Sequence, residues 1–246
     1  VRQRFLCLVA LLILICGHAV GAPASGDARV TQLLREVSLL PSDAPARRAN
    51  LNDTVTENTA VKTGGESRAE LTFVDLTISR LGANTLYRFK KSGRQVDLNA
   101  GATLLRVPKG SGGATILSSA VTVAITGTTL IFENVRDGAS RLTVLEGTAR
   151  LTLVRARDQQ RSVASGESLE VPAGAVRLGD PKQVDLAALM KTSPLIVGFR
   201  PLPSLNLINN AIRQQQQRGP VNQNQPNRNG PQGPQTNPPP PAPGPH

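Results

Sequence analysis

Between Leu51 and Arg155 apolar residues recur at every second position. Ala69, Leu71 and Phe73 alternate with Glu70 and Thr72, and Val121, Val123 and Ile125 alternate with Thr122 and Ala124. Leu142 and Val144, then Leu151 and Leu153, continue the pattern opposite Arg141, Thr143, Arg150 and Thr152. Period two places one side of each strand against a core and the other toward water. One proline, Pro108, falls in this stretch, and turn residues punctuate it at Gly64-Gly65, Asp75, Gly82, Gly101, Gly110 to Gly113, Gly127, Gly147 and Gly166. Many short strands between glycine turns predict an all-β domain, a sandwich or a stacked roll of strands. No helix-length segment separates the strands, which excludes a doubly wound fold. Lys91-Ser92-Gly93-Arg94 and Asp137-Gly138 lie between alternating runs and predict hairpin tips. A weak internal echo links Thr63-Gly64 before Leu71-Thr72-Phe73 to Thr126-Gly127 before Leu130-Ile131-Phe132.

Both ends break the pattern. Arg2 and Arg4 precede an apolar run from Phe5 to Cys16, followed by small residues at Ala19 to Ala22. That arrangement is a secretory signal peptide over residues 1–22, the run being short for a membrane span. The Val at position 1 reads as a GTG start and points to a bacterial gene. The stretch 30–178 is the predicted β domain, and 179–213 a C-terminal extension with short helices. In that extension Ser204 caps a segment whose Leu205, Ile208 and Ile212 share one helical face. From Gln214 to His246 there are ten Pro and eight Gln, and only Val221 and Ala242 are appreciably apolar. Such a segment buries too little to offset chain entropy, so a disordered tail is predicted over 214–246.

Composition then removes most chemistry. The two cysteines are Cys7 and Cys16, and the two histidines are His18 and His246, so the predicted β domain has neither residue type. A Ser-His-Asp triad, a cysteine nucleophile, a His- or Cys-ligated metal and a haem are excluded there. No cofactor is expected. The formal charge is +11, and loss of Arg2 and Arg4 with the signal lowers it by two, to +9. With no Trp, one Tyr and five Phe, the chain lacks the stacking platforms of a single-strand nucleic-acid binder.

Three features bear on function. Lys109-Gly110-Ser111-Gly112-Gly113-Ala114-Thr115 is glycine-rich, but its lysine precedes the glycines and a strand follows, the reverse of a phosphate-cradling loop. Arg88, Lys90, Lys91 and Arg94 cluster at one hairpin tip beside Tyr87 and Phe89. They form the candidate patch for an anionic partner, competing with the ordinary use of lysine to guard a sheet edge. Glu66 with Glu70, and Glu167 with Glu170, are the carboxylate pairs a hydrolase would need.

The order of short motifs resembles one family. It runs from Val61-Lys62-Thr63-Gly64-Gly65-Glu66 and Leu71-Thr72-Phe73 through Leu81-Gly82-Ala83-Asn84-Thr85 and Leu98-Asn99-Ala100-Gly101. Val123-Ala124-Ile125-Thr126-Gly127-Thr128, Val144-Leu145-Glu146-Gly147 and Ala164-Ser165-Gly166-Glu167-Ser168-Leu169 complete it. Spread over roughly Arg35 to Gly174, these marks resemble the FecR domain family. Members usually carry Asp-Gly-Ser after the Leu-Thr-Phe strand, where this chain has Asp75-Leu76-Thr77. The resemblance implies an extracytoplasmic all-β module. In the name-giving branch it follows an anti-sigma segment and a membrane helix, and relays a signal from a TonB-dependent receptor. With an export signal at the start, this chain reads as a stand-alone exported member, located in the periplasm or outside the cell. The expected function is a non-catalytic envelope module that engages an envelope protein or an anionic wall polymer. A sensory adaptor related to iron-uptake regulation is the alternative, and a carboxylate-dependent hydrolase comes third.

Overall fold

A computed structural model of the chain describes residues 27–57, 59–90, 94–134 and 138–217. Residues 1–26, 58, 91–93, 135–137 and 218–246 lie outside the described residues, and with them the expected signal segment, most of the two expected hairpin tips and most of the expected tail. Among the described residues seventeen strands and two helices follow one another: β1 (Ala28–Leu34), β2 (Val37–Pro41), β3 (Arg47–Arg48), β4 (Thr54–Val55), β5 (Thr59–Thr63), β6 (Arg68–Phe73), β7 (Ile78–Leu81), β8 (Leu86–Lys90) and β9 (Gln95–Arg106). Then come β10 (Ala114–Leu117), β11 (Val121–Ile125), β12 (Thr129–Asn134), β13 (Ser140–Glu146), β14 (Thr148–Leu153), β15 (Gln160–Ala164), β16 (Glu167–Val171) and β17 (Lys182–Gln183). Helices α1 (Leu186–Thr192) and α2 (Leu205–Gln217) close the described residues.

The strands form two layers that share β9. The first runs β4-β1-β6-β7-β9-β12-β13-β16-β17. The second runs β3-β2-β5-β8-β9-β10-β11-β14-β15, with β9 and β10 parallel and the other pairs antiparallel. Along β9, Gln95 to Ala100 pair in the second layer and Gly101 to Arg106 in the first. Gly101 makes the bend at φ +84°, where a Cβ would stand 2.5 Å from the Cα of Thr85. Only glycine fits there.

Alternation explains the packing. The inward residues of both layers, among them Leu71, Leu105, Phe132 and Leu142 from the first and Val61, Phe89, Val123 and Leu151 from the second, make one continuous core. Phe73 meets Phe89 edge-on across it at 4.8 Å, and Tyr87 shares a 2.7 Å hydrogen bond with Ser79. Burial pushes the Tyr87 phenol well above its ordinary pKa, against the pull of the Ser79 hydroxyl.

The chain crosses between layers at stacked corners. The Gly64 N–H donates to Glu36 O at 3.0 Å, the Asn84 N–H to Gly64 O at 3.0 Å, and the Gly82 N–H to Ala102 O at 2.9 Å. Gly64 and Gly127, the two halves of the sequence echo, both lie where the chain passes from the second layer to the first. The turn at Asp75-Leu76-Thr77 is tight despite lacking glycine. The Phe73 N–H donates to Thr77 O at 2.9 Å, and Asp75 accepts from both the N–H and the hydroxyl of Thr77.

A belt formed by the C-terminal segment covers part of the outer side of the first layer. Leu186, Leu195, Leu202 and Ile208 bury against Leu104, Ile131 and Leu145, a second core separate from that between the layers. Ile212 packs partly against the same cluster, while Leu205, the third residue of the apolar face read from the sequence, is half-buried outside it. Helix α2 runs to Gln217, four residues past the expected end of the extension, because Gln215 is engaged: its amide donates to Val184 O at 2.6 Å and accepts from the Leu186 N–H at 3.2 Å.

Candidate functional site

The carboxylate pairs do not converge on a cleft. Glu66 is exposed and pairs with Arg35, whereas Glu70 is buried and pairs with Arg80 at 2.8 Å. Glu167 accepts from the Ala164 N–H at 2.8 Å, and Glu170 binds Arg141. Each candidate carboxylate is thus committed to a structural contact, and none is poised opposite its neighbour. Burial raises the pKa of Glu146, opposed by the Thr129 hydroxyl and by Lys109 and Arg106. Among the described residues no three His, Cys, Asp or Glu gather in a metal-binding group.

Arg80 shows what one of these contacts does. It is 1% exposed on β7, and besides Glu70 it donates to the carbonyls of Leu195 and Arg200. The Phe199 ring lies 4.7 Å from its guanidinium carbon. Burial presses the arginine pKa down while Glu70 pushes it up. Thr31 and Gln32 donate to the remaining carboxylate oxygen of Glu70 at 2.8 and 2.9 Å. The pair is fully satisfied and clamps the belt to the first layer.

The hairpin-tip cations are placed individually. Lys91 lies outside the described residues. Lys90 pairs with Asp97 at 3.2 Å; Arg88, directly across from Asp97 in register, has no acidic partner among the described residues. Arg94 turns toward the glycine loop, donating to the carbonyls of Ser111 and Gly113. The loop allows this because Gly112 has no side chain: a Cβ there would lie 2.3 Å from Arg94 Nη1. The glycine-rich stretch therefore presents carbonyl oxygens to a cation, opposite in polarity to a phosphate cradle that presents N–H groups.

Charge divides between the layers in a way no local motif shows. First-layer strands carry six Lys or Arg (Arg29, Arg68, Arg80, Arg106, Arg141, Lys182) and five acids (Glu70, Glu133, Glu146, Glu167, Glu170). Second-layer strands carry seven (Arg47, Arg48, Lys62, Arg88, Lys90, Arg150, Arg161) and one acid, Asp97. The belt covers part of the first layer, whereas Lys62, Arg88, Lys90 and Arg150 stand exposed on the second.

On that second layer lies an open trough of about 720 Å³. Pairing sets Lys90, Gln95, Thr115, Ala124, Arg150 and Ser162 in one row across six strands. Gln95 to Ser162 line the trough together with Thr126 and Thr148, and Arg94 and Gly112 border it. Another cavity, about 860 Å³ beside α1, is lined by Arg141, Arg177 and Lys182 but also by Glu133, Glu170, Asp180 and Asp185, so its charges offset one another.

Residues 59–150 match the family model described as FecR protein. That stretch, rather less than half of the chain, is similar to a FecR domain. The match starts at the first residue of β5 and ends within β14, inside the stretch that carries the sequence resemblance. The matched stretch contributes strands to both layers and four strands of the trough, β9, β10, β11 and β14, while β1–β4 and the belt lie outside the match. Two crystal structures of a candidate anti-sigma factor from Parabacteroides distasonis are similar at 13% identity, with TM-scores of 0.47 and 0.46. Each alignment covers 54% of this chain and 65% or 64% of the other, less than two thirds of that chain's length. No curated protein matches. Among the described residues no helix is long and apolar enough to cross a membrane.

Proposed function

We propose that this chain is a non-catalytic, extracytoplasmic binding module of the bacterial cell envelope. Its partner, an envelope protein or an anionic wall polymer, docks on the second layer. The observation that carries this reading is the charge division, seven cations against one acid on the strands of the uncovered layer. A surface of one sign concentrates partners of the other and speeds their encounter. The commitment of Glu66, Glu70, Glu167 and Glu170 to structural contacts supports the non-catalytic part.

The test is co-sedimentation of the purified protein with isolated cell wall, and separately with membrane vesicles, at low and high salt. Pelleting with wall that persists at high salt is the expected result. Binding that vanishes with salt reduces the interaction to unspecific charge. The FecR match favours one second reading, a sensory adaptor to a membrane partner. It predicts pelleting with membranes alone and crosslinking to one defined protein.

A further inference from the structure

We propose that the trough on the second layer binds a glycan strand in which acidic sugars alternate with neutral ones. This rests on the envelope-binding reading and names its ligand class and site. Three features of the trough select that chemistry. The first is the spacing of its cations. Arg94 and Arg150 stand on opposite sides of β10 and β11, about three strand spacings or roughly 14 Å apart at the backbone. Arg94 is held in place by two loop carbonyls, and Arg150 has no acidic partner among the described residues. A guanidinium of this kind pairs with a carboxylate through two parallel hydrogen bonds.

The second feature is what lies between them. Thr115 and Thr126 stand between the two arginines, Thr148 beside Arg150 on β14 and Ser162 beyond it on β15, and each hydroxyl both donates and accepts. A neutral, hydroxyl-bearing sugar matches that stretch. A chain with a phosphate at every unit would set anions against hydroxyls with no cation beside them. The third feature is the floor. Ala124 is exposed and small, flanked by Thr115 and Arg150 in register, and the glycine loop adds no side chain at its border. The trough has no aromatic lining, so a neutral glycan finds no stacking surface and charge is required for affinity.

The experiment titrates the full chain with hyaluronan oligosaccharides, in which glucuronate alternates with a neutral amino sugar. Calorimetry and amide chemical shifts are read at physiological and at raised salt. Shift changes are expected at Thr115, Ala124, Thr126, Thr148 and Arg150. Arg150→Ala is expected to weaken binding about tenfold, the worth of one charge-assisted contact. Lys62→Ala, which removes the same charge from the same layer outside the trough, leaves affinity unchanged. Ala124→Leu fills the floor without altering charge or touching the core, and abolishes binding while the circular dichroism stays that of the parent. The proposal is overturned if Ala124→Leu binds as the parent does, or if the Arg150 and Lys62 variants lose affinity equally. Tighter binding of a glycerol-phosphate polymer, or equal binding of neutral dextran, also overturns it. Should hyaluronan fail while wall co-sedimentation persists, the trough assignment falls and the envelope-binding reading stands; loss of both removes both.

Discussion

Leu76 occupies a backbone conformation that belongs to glycine. Its φ is +64°, and its side chain is 65% exposed, so nothing it buries offsets the strain. The left-handed region costs an L-residue about 1–2 kcal/mol, and glycine gives back part of that through greater unfolded-state entropy. Leu76→Gly should therefore stabilise the protein by roughly 0.5–1 kcal/mol, read as a shift in denaturant midpoint at constant slope. Glu146 gives a second test. Its folded pKa is raised above the ordinary 4.5 by burial, so the folded state holds a proton that the unfolded chain releases. Stability is then greatest below that pH and declines as pH rises through the folded value. Glu146→Gln keeps an acceptor for Thr129, removes that decline, and should raise the melting temperature at pH 7 but not at pH 4.

The belt is the element whose attachment is most exposed to a single change. Arg80 fixes Leu195, Phe199 and Arg200 at once, and it neutralises Glu70 where neither side chain reaches water. Arg80→Met leaves a buried, unpaired carboxylate and should cost about 3–5 kcal/mol; replacing Glu70 by Leu as well should recover much of it. Thermal unfolding of the two single variants and the double variant measures the coupling. Ile208→Ala, in the second core, should cost about 2–5 kcal/mol if belt and layers unfold together. Hydrogen exchange shows whether the loss is shared: a belt that opens alone would raise exchange in α1 and α2 and leave β6 and β7 protected. Helix α2 also marks a limit of reading by composition. Four glutamines in a row look like the start of a solvated tail, yet Gln215 ties α2 to Val184 and Leu186 through its side-chain amide.

The whole molecule is built from contacts distant in sequence. β1 pairs with β6, β9 with β12 and β13 with β16, while β9 is threaded through both layers. Such topology closes long loops before it gains contacts, so refolding is expected on a millisecond-to-second scale. Tyr87 is the lone tyrosine in a chain without tryptophan, and it sits between the layers against Ser79. Its fluorescence therefore reports their assembly directly in a stopped-flow experiment. Refolding completed within microseconds would contradict the two-layer architecture.

Alternation along the strands was enough to establish an all-β domain, its inward residues and its glycine corners. Which side of a strand faces the core is a local property with period two, and a positive φ selects glycine locally. Likewise the apolar face of α2 and the absence of histidine and cysteine chemistry could be read position by position. The trough could not. Thr115, Ala124, Arg150 and Ser162 are spread over 48 positions and meet because β10, β11, β14 and β15 pair in that register. The division of charge between layers, the Arg80–Glu70 clamp under the belt and the seating of Arg94 on Gly112 have the same origin. Each depends on which strands become neighbours, and that is decided by the joint burial of both layers rather than by any one segment.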